Sequence, residues 1–130
     1  MKFGYTIAYV DNVDKTISFF EDAFGMKRKF ITKEKDYAEL DTGETTLSFA
    51  SHELGSSNFS GEYISVTSSI RPLGIEIALV TDDVKSAHSA ALDHGAIEMS
   101  APNLKPWGQI ISYVRCPSGI LLEICSPIEK

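Results

Sequence analysis

The stretch EIALVTDDVKSAHSAA, residues 76–91, has the order strand, turn, helix. Its first residues are mainly apolar and partly β-branched, which is typical of a buried strand. Asp82 and Asp83 follow, and either side chain is suited to cap the start of a helix. Apolar residues then recur at helical spacing until Gly95, a residue type that commonly ends a helix. The apolar stripe of this helix consists of Val84, Ala87, Ala91 and Leu92.

The first half of the chain repeats this order. Residues 5–20 read YTIAYVDNVDKTISFF, and a shift of 71 positions aligns Asp11 with Asp82. The segments YAELDTGETTLSFAS (37–51) and SYVRCPSGILLEICS (112–126) match in the same way at a shift of 75. A repeat within one chain indicates that one structural unit occurs twice. Each half therefore predicts a βαβββ unit, in which DTGE and CPSG form hairpin turns.

The helix of the first half is marked as clearly as that of the second. Asp11 or Asn12 is suited to cap its start, and Gly25 to end it. Its apolar stripe consists of Val13, Ile17, Phe20 and Phe24. We expect the later strands at about 26–33, 37–41 and 45–50 in the first half and at about 96–102, 109–116 and 120–125 in the second.

The two repeats predict one α+β domain of mixed sheets over residues 1–130. We place the first repeat at 1–50, a connecting segment at 51–73 and the second repeat at 74–126. The connection is rich in serine, and a loop of this length inside a domain is usually functional or disordered. It is therefore expected either to cover a pocket or to serve as a passive linker.

Composition excludes several classes of partner. The chain has 130 residues and a formal net charge of -6, with no run of basic residues longer than the KRK at 27–29. Nucleic acid and anionic membranes are therefore poor partners. The early apolar run YTIAYV is too short to span a membrane. Cys116 and Cys125 form no CxxC pair and no disulfide framework, which indicates a cytoplasmic protein.

Two segments carry a family resemblance. YTIAYVDNVDKTISFFEDAFGM (5–26) and PWGQIISYVRCPSGILLEICSP (106–127) resemble the glyoxalase, bleomycin-resistance protein and extradiol dioxygenase superfamily, also called vicinal oxygen chelate proteins. The resemblance covers essentially the whole chain. It implies that each repeat curls its sheet into a cup, and that the two cups face one another across a pocket for a small molecule. It also implies a homodimer.

The resemblance implies four ligand positions in metal-dependent members. They fall here on Tyr5, Ser48, Glu76 and Glu123. Glu76 would then interrupt its apolar strand because it points into the cup beside Glu123; the alternative is that it faces solvent on an edge strand. The set contains no histidine, and its oxygen ligands would suit Mn²⁺ or Mg²⁺ better than Zn²⁺. The expected cofactor is thus either none or a divalent metal (Mn, Mg, Fe, Ni or Zn).

Five further residues are candidate pocket residues. In similar proteins the region of Trp107 and Gln109 borders the pocket, where Trp107 would stack on a ligand or, alternatively, anchor the core. Gln109 would donate to a ligand carbonyl. Tyr113 and Arg115 share a face of the seventh strand; Tyr113 is a candidate ligand contact, and Arg115 either anchors a turn or clamps an anion. His52 is expected at the rim of the pocket.

The remaining histidines and cysteines are expected to have no part in chemistry. His88 and His94 lie on or just after the second helix, and we interpret both as surface or packing residues. Cys116 has no neighbouring His or Lys in sequence to activate it, and Cys125 ends a buried strand.

Three functional hypotheses follow from these residues. In the first, the chain binds a small organic molecule and its metal site is degenerate, as in the drug-sequestering members that it resembles. In the second, it is a divalent-metal-dependent lyase, isomerase or dioxygenase acting on a substrate with adjacent oxygens. In the third, it is a metal-free acid–base enzyme in which Glu76 or Glu123 removes a proton. The sequence does not decide whether the chain is an enzyme.

Overall fold

The chain folds as two compact units, which are described in a computed structural model covering residues 1–128. The first unit comprises Met1–Ser68, and the second begins at Ser69. The elements of the first are β1 (Tyr5–Val10), α1 (Val13–Phe24), β2 (Arg28–Ile31), β3 (Tyr37–Leu40), β4 (Thr46–Ser51) and α2 (His52–Asn58). Those of the second are β5 (Glu76–Val80), α3 (Val84–Asp93), β6 (Ile97–Leu104), β7 (Ile110–Arg115) and β8 (Leu121–Cys125).

Each unit contains one four-stranded mixed sheet. The strand orders are β1-β4-β3-β2 and β5-β8-β7-β6. The β1–β4 and β5–β8 pairs are parallel, and the other pairs are antiparallel. The predicted α+β class and the repeated βαβββ order are thus confirmed. Among residues 1–128, no helix combines the length and the apolar character needed to cross a membrane.

Helix α1 begins and ends where local chemistry requires it. The Asn12 side chain accepts a hydrogen bond from the Lys15 amide, so Asn12 rather than Asp11 is the cap. Gly25 ends the helix with a φ of 65°, a left-handed conformation that favours glycine. Ile17 and Phe20 are fully buried against the sheet. The apolar stripe predicted from the sequence is therefore the inner face of α1.

Helix α3 covers one face of the second sheet. Its cap is Asp83, whose side chain accepts from the Ser86 amide. The sheet residues on the covered face include Val114, Leu122 and Ile124, all buried. The buried residues of α3 are Val84, His88 and Ala91, so the large apolar side chains of this core come mainly from the strands.

Helix α2 was not predicted. It occupies residues 52–58 of the segment that the sequence indicated as a connection, and Ser51 caps it by accepting from the Leu54 amide. The serine- and glycine-rich composition disfavours a helix locally. A tertiary contact offsets this low helix propensity. Gly55 packs so closely on Tyr9 that a β-carbon at position 55 would lie 3.0 Å from the ring. The helix thus approaches the strand more closely than a larger residue allows.

The face of each sheet opposite its long helix is here called the open face. In the first unit it carries Tyr5 and Ile7, whose exposed fractions are 57% and 47%. In the second unit it carries Glu76, Tyr113 and Glu123. Polar and aromatic side chains therefore gather on the open faces, while the core lies between helix and sheet.

Candidate functional site

Three predicted site residues lie together on the open face of the second unit. Strand β8 pairs Glu123 with Ala78 of β5 and with Tyr113 of β7. The Tyr113 hydroxyl donates a hydrogen bond to Glu123 Oε1 over 3.0 Å. Glu76, at the start of β5, adds its negative charge to the same phenol. Glu76 is exposed on β5, an edge strand of the sheet, as the alternative interpretation expected. It also lies close enough to the Tyr113–Glu123 pair to form one polar cluster with it.

Burial and the neighbouring carboxylates keep the Tyr113 phenol protonated. The pKa of Tyr113 rises from its ordinary 10.0 to about 12, mainly because burial disfavours the phenolate. The hydrogen bond to Glu123 and the charges of Glu123 and Glu76 act in the same direction. At physiological pH Tyr113 is thus a fixed donor that orients one carboxylate oxygen of Glu123.

Cys125 lies at the edge of this cluster and is held as a thiol. It is buried, and burial followed by the proximity of Glu123 and Glu76 raises its pKa. A thiolate is the nucleophilic form of cysteine, so this environment suppresses its reactivity. Cys116 is also buried, and its Sγ lies 3.0 Å from the Ser118 hydroxyl.

The first unit carries a second phenol–carboxylate pair that the sequence reasoning missed. The Tyr37 hydroxyl donates to Glu39 Oε2 over 2.7 Å, and Glu39 is buried. Glu39 pairs with Ser48 across β3 and β4, just as Tyr113 pairs with Glu123 across β7 and β8. The internal repeat did not reveal this pair, because the shift of 75 aligns Tyr113 with Ala38 rather than with Tyr37 or Glu39.

The predicted ligand position Ser48 is enclosed. Ser48 is fully buried, and its hydroxyl donates a hydrogen bond to the Thr6 carbonyl over 3.2 Å. Burial also raises the pKa of Tyr37, with Glu39 adding to the rise and Ser48 opposing it. Ser48 therefore supports the Tyr37–Glu39 pair rather than facing solvent.

Tyr5 lies at the exposed start of β1, close enough to Tyr37 to contribute to the raised pKa of that phenol. It lines a depression of about 320 Å³, together with Lys2, Gly4, Glu44 and Thr46. Lys2 and Glu44 carried no signal in the sequence, because isolated charges at a chain start and in a turn are ordinarily solvated.

Trp107 and Gln109 form one hydrogen-bonded pair before β7. Trp107 is 61% exposed, so the alternative of a core tryptophan is wrong. Its indole Nε1 donates to Gln109 Oε1 over 2.9 Å, and Gln109 Nε2 donates to the Ser126 carbonyl over 2.8 Å. Gln109 thus uses its amide to hold Trp107 in place, which leaves the flat indole face for contact with a ligand. Contact of either residue with a ligand stays a prediction.

Arg115 anchors two pieces of backbone within the second unit. Its Nε donates to the Gly119 carbonyl in the turn before β8, and one terminal nitrogen donates to the carbonyl and hydroxyl of Ser69, each over 3.0 Å. The turn-anchoring interpretation is therefore confirmed.

Replacing Arg115 by lysine is expected to lower the free energy of unfolding by about 1–2 kcal/mol, because an ammonium cannot reproduce the planar fork of donors. Urea denaturation measures the difference. Arg71→Lys at an exposed position is the matched control and should change stability by no more than about 0.5 kcal/mol. Equal effects of the two substitutions would contradict the anchoring role.

The three histidines occupy unlike environments. His52 begins α2 in the first unit, where it contacts Asp11 and Tyr63. His88 is buried between the Ser112 hydroxyl at 2.9 Å and the Glu98 carboxylate at 2.7 Å. This order imitates a catalytic triad, but Ser112 is fully buried and no substrate reaches it. The packing interpretation of His88 is confirmed.

The comparison with protein families agrees with this architecture. The sequence profile of the glyoxalase/bleomycin resistance protein/dioxygenase superfamily matches residues 2–124. The chain belongs to this superfamily. None of the curated proteins compared with it matches the sequence.

Solved structures of superfamily proteins share the fold. A glyoxalase-related enzyme from Fulvimarina pelagi is 15% identical in sequence and has a TM-score of 0.82. The match covers 98% of this chain and 88% of the enzyme's chain. A superfamily enzyme from Burkholderia phytofirmans PsJN is 16% identical in sequence and has a TM-score of 0.75. The match covers 97% of this chain and 98% of the enzyme's chain. A superfamily protein from Nocardioides is 14% identical in sequence and has a TM-score of 0.72. The match covers 99% of this chain and 85% of that protein's chain. At these identities the likeness concerns the fold alone.

Superfamily members often bind a divalent metal, and the residues of this chain can be tested for that fit. The second unit offers two carboxylates, Glu76 and Glu123, and Tyr113 already occupies one oxygen of Glu123. Catalytic zinc sites ordinarily use three protein ligands. Within the described part of the chain, no three His, Cys, Asp or Glu side chains form a group suited to a metal ion. The donor set of this open face therefore does not fit a catalytic zinc ion with three protein ligands.

Proposed function

We propose that this superfamily member binds a small organic cation on the open face of its second unit. The observation that carries the proposal is the cluster in which Tyr113 donates to Glu123 while Glu76 lies close enough to add its charge. Carboxylates accept hydrogen bonds and attract positive charge, so an ammonium or guanidinium group is the complementary partner.

The arrangement supports a binding site that is organised before a ligand arrives. Tyr113 fixes one oxygen of Glu123, which leaves the other oxygen and the exposed Glu76 to accept from a ligand. A prearranged acceptor loses less entropy on binding than a mobile one. The formal net charge of -6 further favours the approach of cations over anions.

A matched pair of probes tests the proposal. Tyramine and 4-hydroxyphenylacetate share a phenol ring but carry an amine and a carboxylate, respectively. We expect tyramine to raise the melting temperature in proportion to binding, and 4-hydroxyphenylacetate to leave it unchanged. Glu123→Gln should weaken the binding of tyramine by about tenfold or more, because a charged hydrogen bond becomes a neutral one.

Glu34→Gln is the control, since it makes the same change in charge at an exposed position of the first unit. It should leave the affinity for tyramine unchanged. Equal stabilisation by both probes, or equal weakening in both variants, would show that general electrostatics rather than this cluster governs binding.

A second candidate, a metal-free acid–base enzyme, is supported by the raised pKa of Tyr113. A phenol that stays protonated can donate to a developing enolate, while an adjacent carboxylate removes a proton. Tyr113 is the proposed donor, because its hydroxyl contacts a carboxylate. Turnover of a carbonyl substrate that Glu76→Gln abolishes, without loss of folding, would favour this candidate over simple binding.

We also propose a homodimer and a cytoplasmic location. A homodimer is supported by the resemblance and by exposed apolar side chains on strands at sheet edges, such as Ile7 and Val80. A cytoplasmic location is supported by the unpaired thiols of Cys116 and Cys125.

A further inference from the structure

A polar bridge in the first unit joins three segments that are distant in sequence. His52 Nε2 lies 2.6 Å from Asp11 Oδ1, and His52 Nδ1 lies 2.7 Å from the Tyr63 hydroxyl. Asp11 follows β1, His52 begins α2, and Tyr63 lies beyond the end of α2. The bridge therefore fastens the chain that leaves α2 to the end of the first strand.

For a neutral His52 imidazole, hydrogen-bond accounting assigns one direction to the bridge. An ionised carboxylate only accepts, so His52 Nε2 carries the hydrogen and donates to Asp11. In the neutral imidazole Nδ1 is then an acceptor, and the Tyr63 hydroxyl donates to it. The hydrogen bonds thus run from Tyr63 to His52 and from His52 to Asp11. Removing any one of these side chains leaves another without this partner.

The bridge places Tyr63 over the open face of the first unit. The ring centroids of Tyr63 and Tyr9 are 5.0 Å apart, and those of Tyr63 and His52 are 5.8 Å apart. Gly55 of α2 also lies against the Tyr9 ring. Tyr9 shares its face with Tyr5 and Ile7, which are exposed. Tyr63 and α2 therefore cover the end of this face that lies next to Tyr9.

The chain between α2 and Tyr63 is exposed beyond the Phe59 amide, which donates to the Gly55 carbonyl. Residues 59–63, here called the strap, lie outside helices and strands, and residues 59–62 are exposed. Segments with few buried contacts open at low cost in free energy. The fastening at Tyr63 thus determines whether the strap stays closed.

We propose that His52 is a latch that holds the strap over Tyr9, and that release of the latch opens this end of the face to solvent and ligands. The device is autoinhibitory, since the closed strap occupies aromatic surface that an incoming flat molecule would use. It does not depend on ligand binding by the second unit.

Hydroxyl-radical labelling of the intact chain tests the latch without any ligand. The oxidation rate of Tyr9, divided by that of the exposed Tyr5, measures how often the strap opens. We expect this ratio to rise about three- to tenfold in Tyr63→Phe, which keeps the ring but removes the hydroxyl. His52→Ala should give a similar rise, and the double variant should exceed neither single variant, because both remove one bridge. His94→Ala, a change of an exposed histidine in the second unit, should leave the ratio unchanged.

Chymotrypsin gives a second readout, since it cleaves after tyrosine or phenylalanine at position 63 once the strap is open. Cleavage there should accelerate by a similar factor in Tyr63→Phe and His52→Ala. An unchanged labelling ratio in Tyr63→Phe would overturn the proposal. Multiplication of the two effects in the double variant would overturn it equally, because the residues would then act independently.

Discussion

Replacing Phe49 by alanine is expected to lower the free energy of unfolding by about 3–5 kcal/mol. Phe49 is fully buried on the covered face of β4, and its ring stacks on that of Phe20 with centroids 5.2 Å apart. Truncation removes the transfer free energy of the ring and leaves a cavity between helix and sheet. The loss is a large part of the stability that a domain of this size ordinarily has.

Phe3→Ala provides the matched control for this change. Phe3 is 68% exposed before β1, so the same truncation removes little buried surface. Its effect should stay within about 0.5 kcal/mol. Urea denaturation followed by circular dichroism measures both variants. A loss below about 1.5 kcal/mol for Phe49→Ala would show that the first unit repacks around the space.

The sequence sufficed for the repeated unit because each of its signals is local. Apolar spacing predicts the stripe of α1, and glycine at its end needs no partner elsewhere in the chain. Helix α2 could not be predicted, because its stability depends on the contact between Gly55 and Tyr9. The order of residues and their helix propensities do not reveal such a tertiary contact.

The candidate site shows the same limit. The family resemblance placed Glu76 and Glu123 at ligand positions, and both lie on one open face. The bond from Tyr113 to Glu123 required the register of β7 against β8, which the sequence does not state. Glu39 was missed because its burial arises only when β3 is paired within the sheet.

Alkaline pH should destabilise the folded chain through Tyr113. The pKa of this phenol is about 12 in the folded state against an ordinary 10.0, so the folded state binds the proton more tightly. The resulting stability is fully present below pH 10 and is lost as pH rises through 12, because the unfolded chain releases the proton first. The expected loss over this interval is roughly 2–3 kcal/mol.

The difference between the wild-type chain and Tyr113→Phe isolates this effect from the other tyrosines. Urea denaturation from pH 9 to pH 12 should show a steeper decline in the wild type, and the phenolate absorbance should lose its highest-pH component in the variant. Glu123→Gln should reduce the difference, since it removes one of the charges that raise the pKa. Identical slopes in wild type and Tyr113→Phe would mean that the carboxylates do not hold the phenol. The proposed acceptor site would then lack its organising donor, and the case for binding a cation at Glu123 would fail with it.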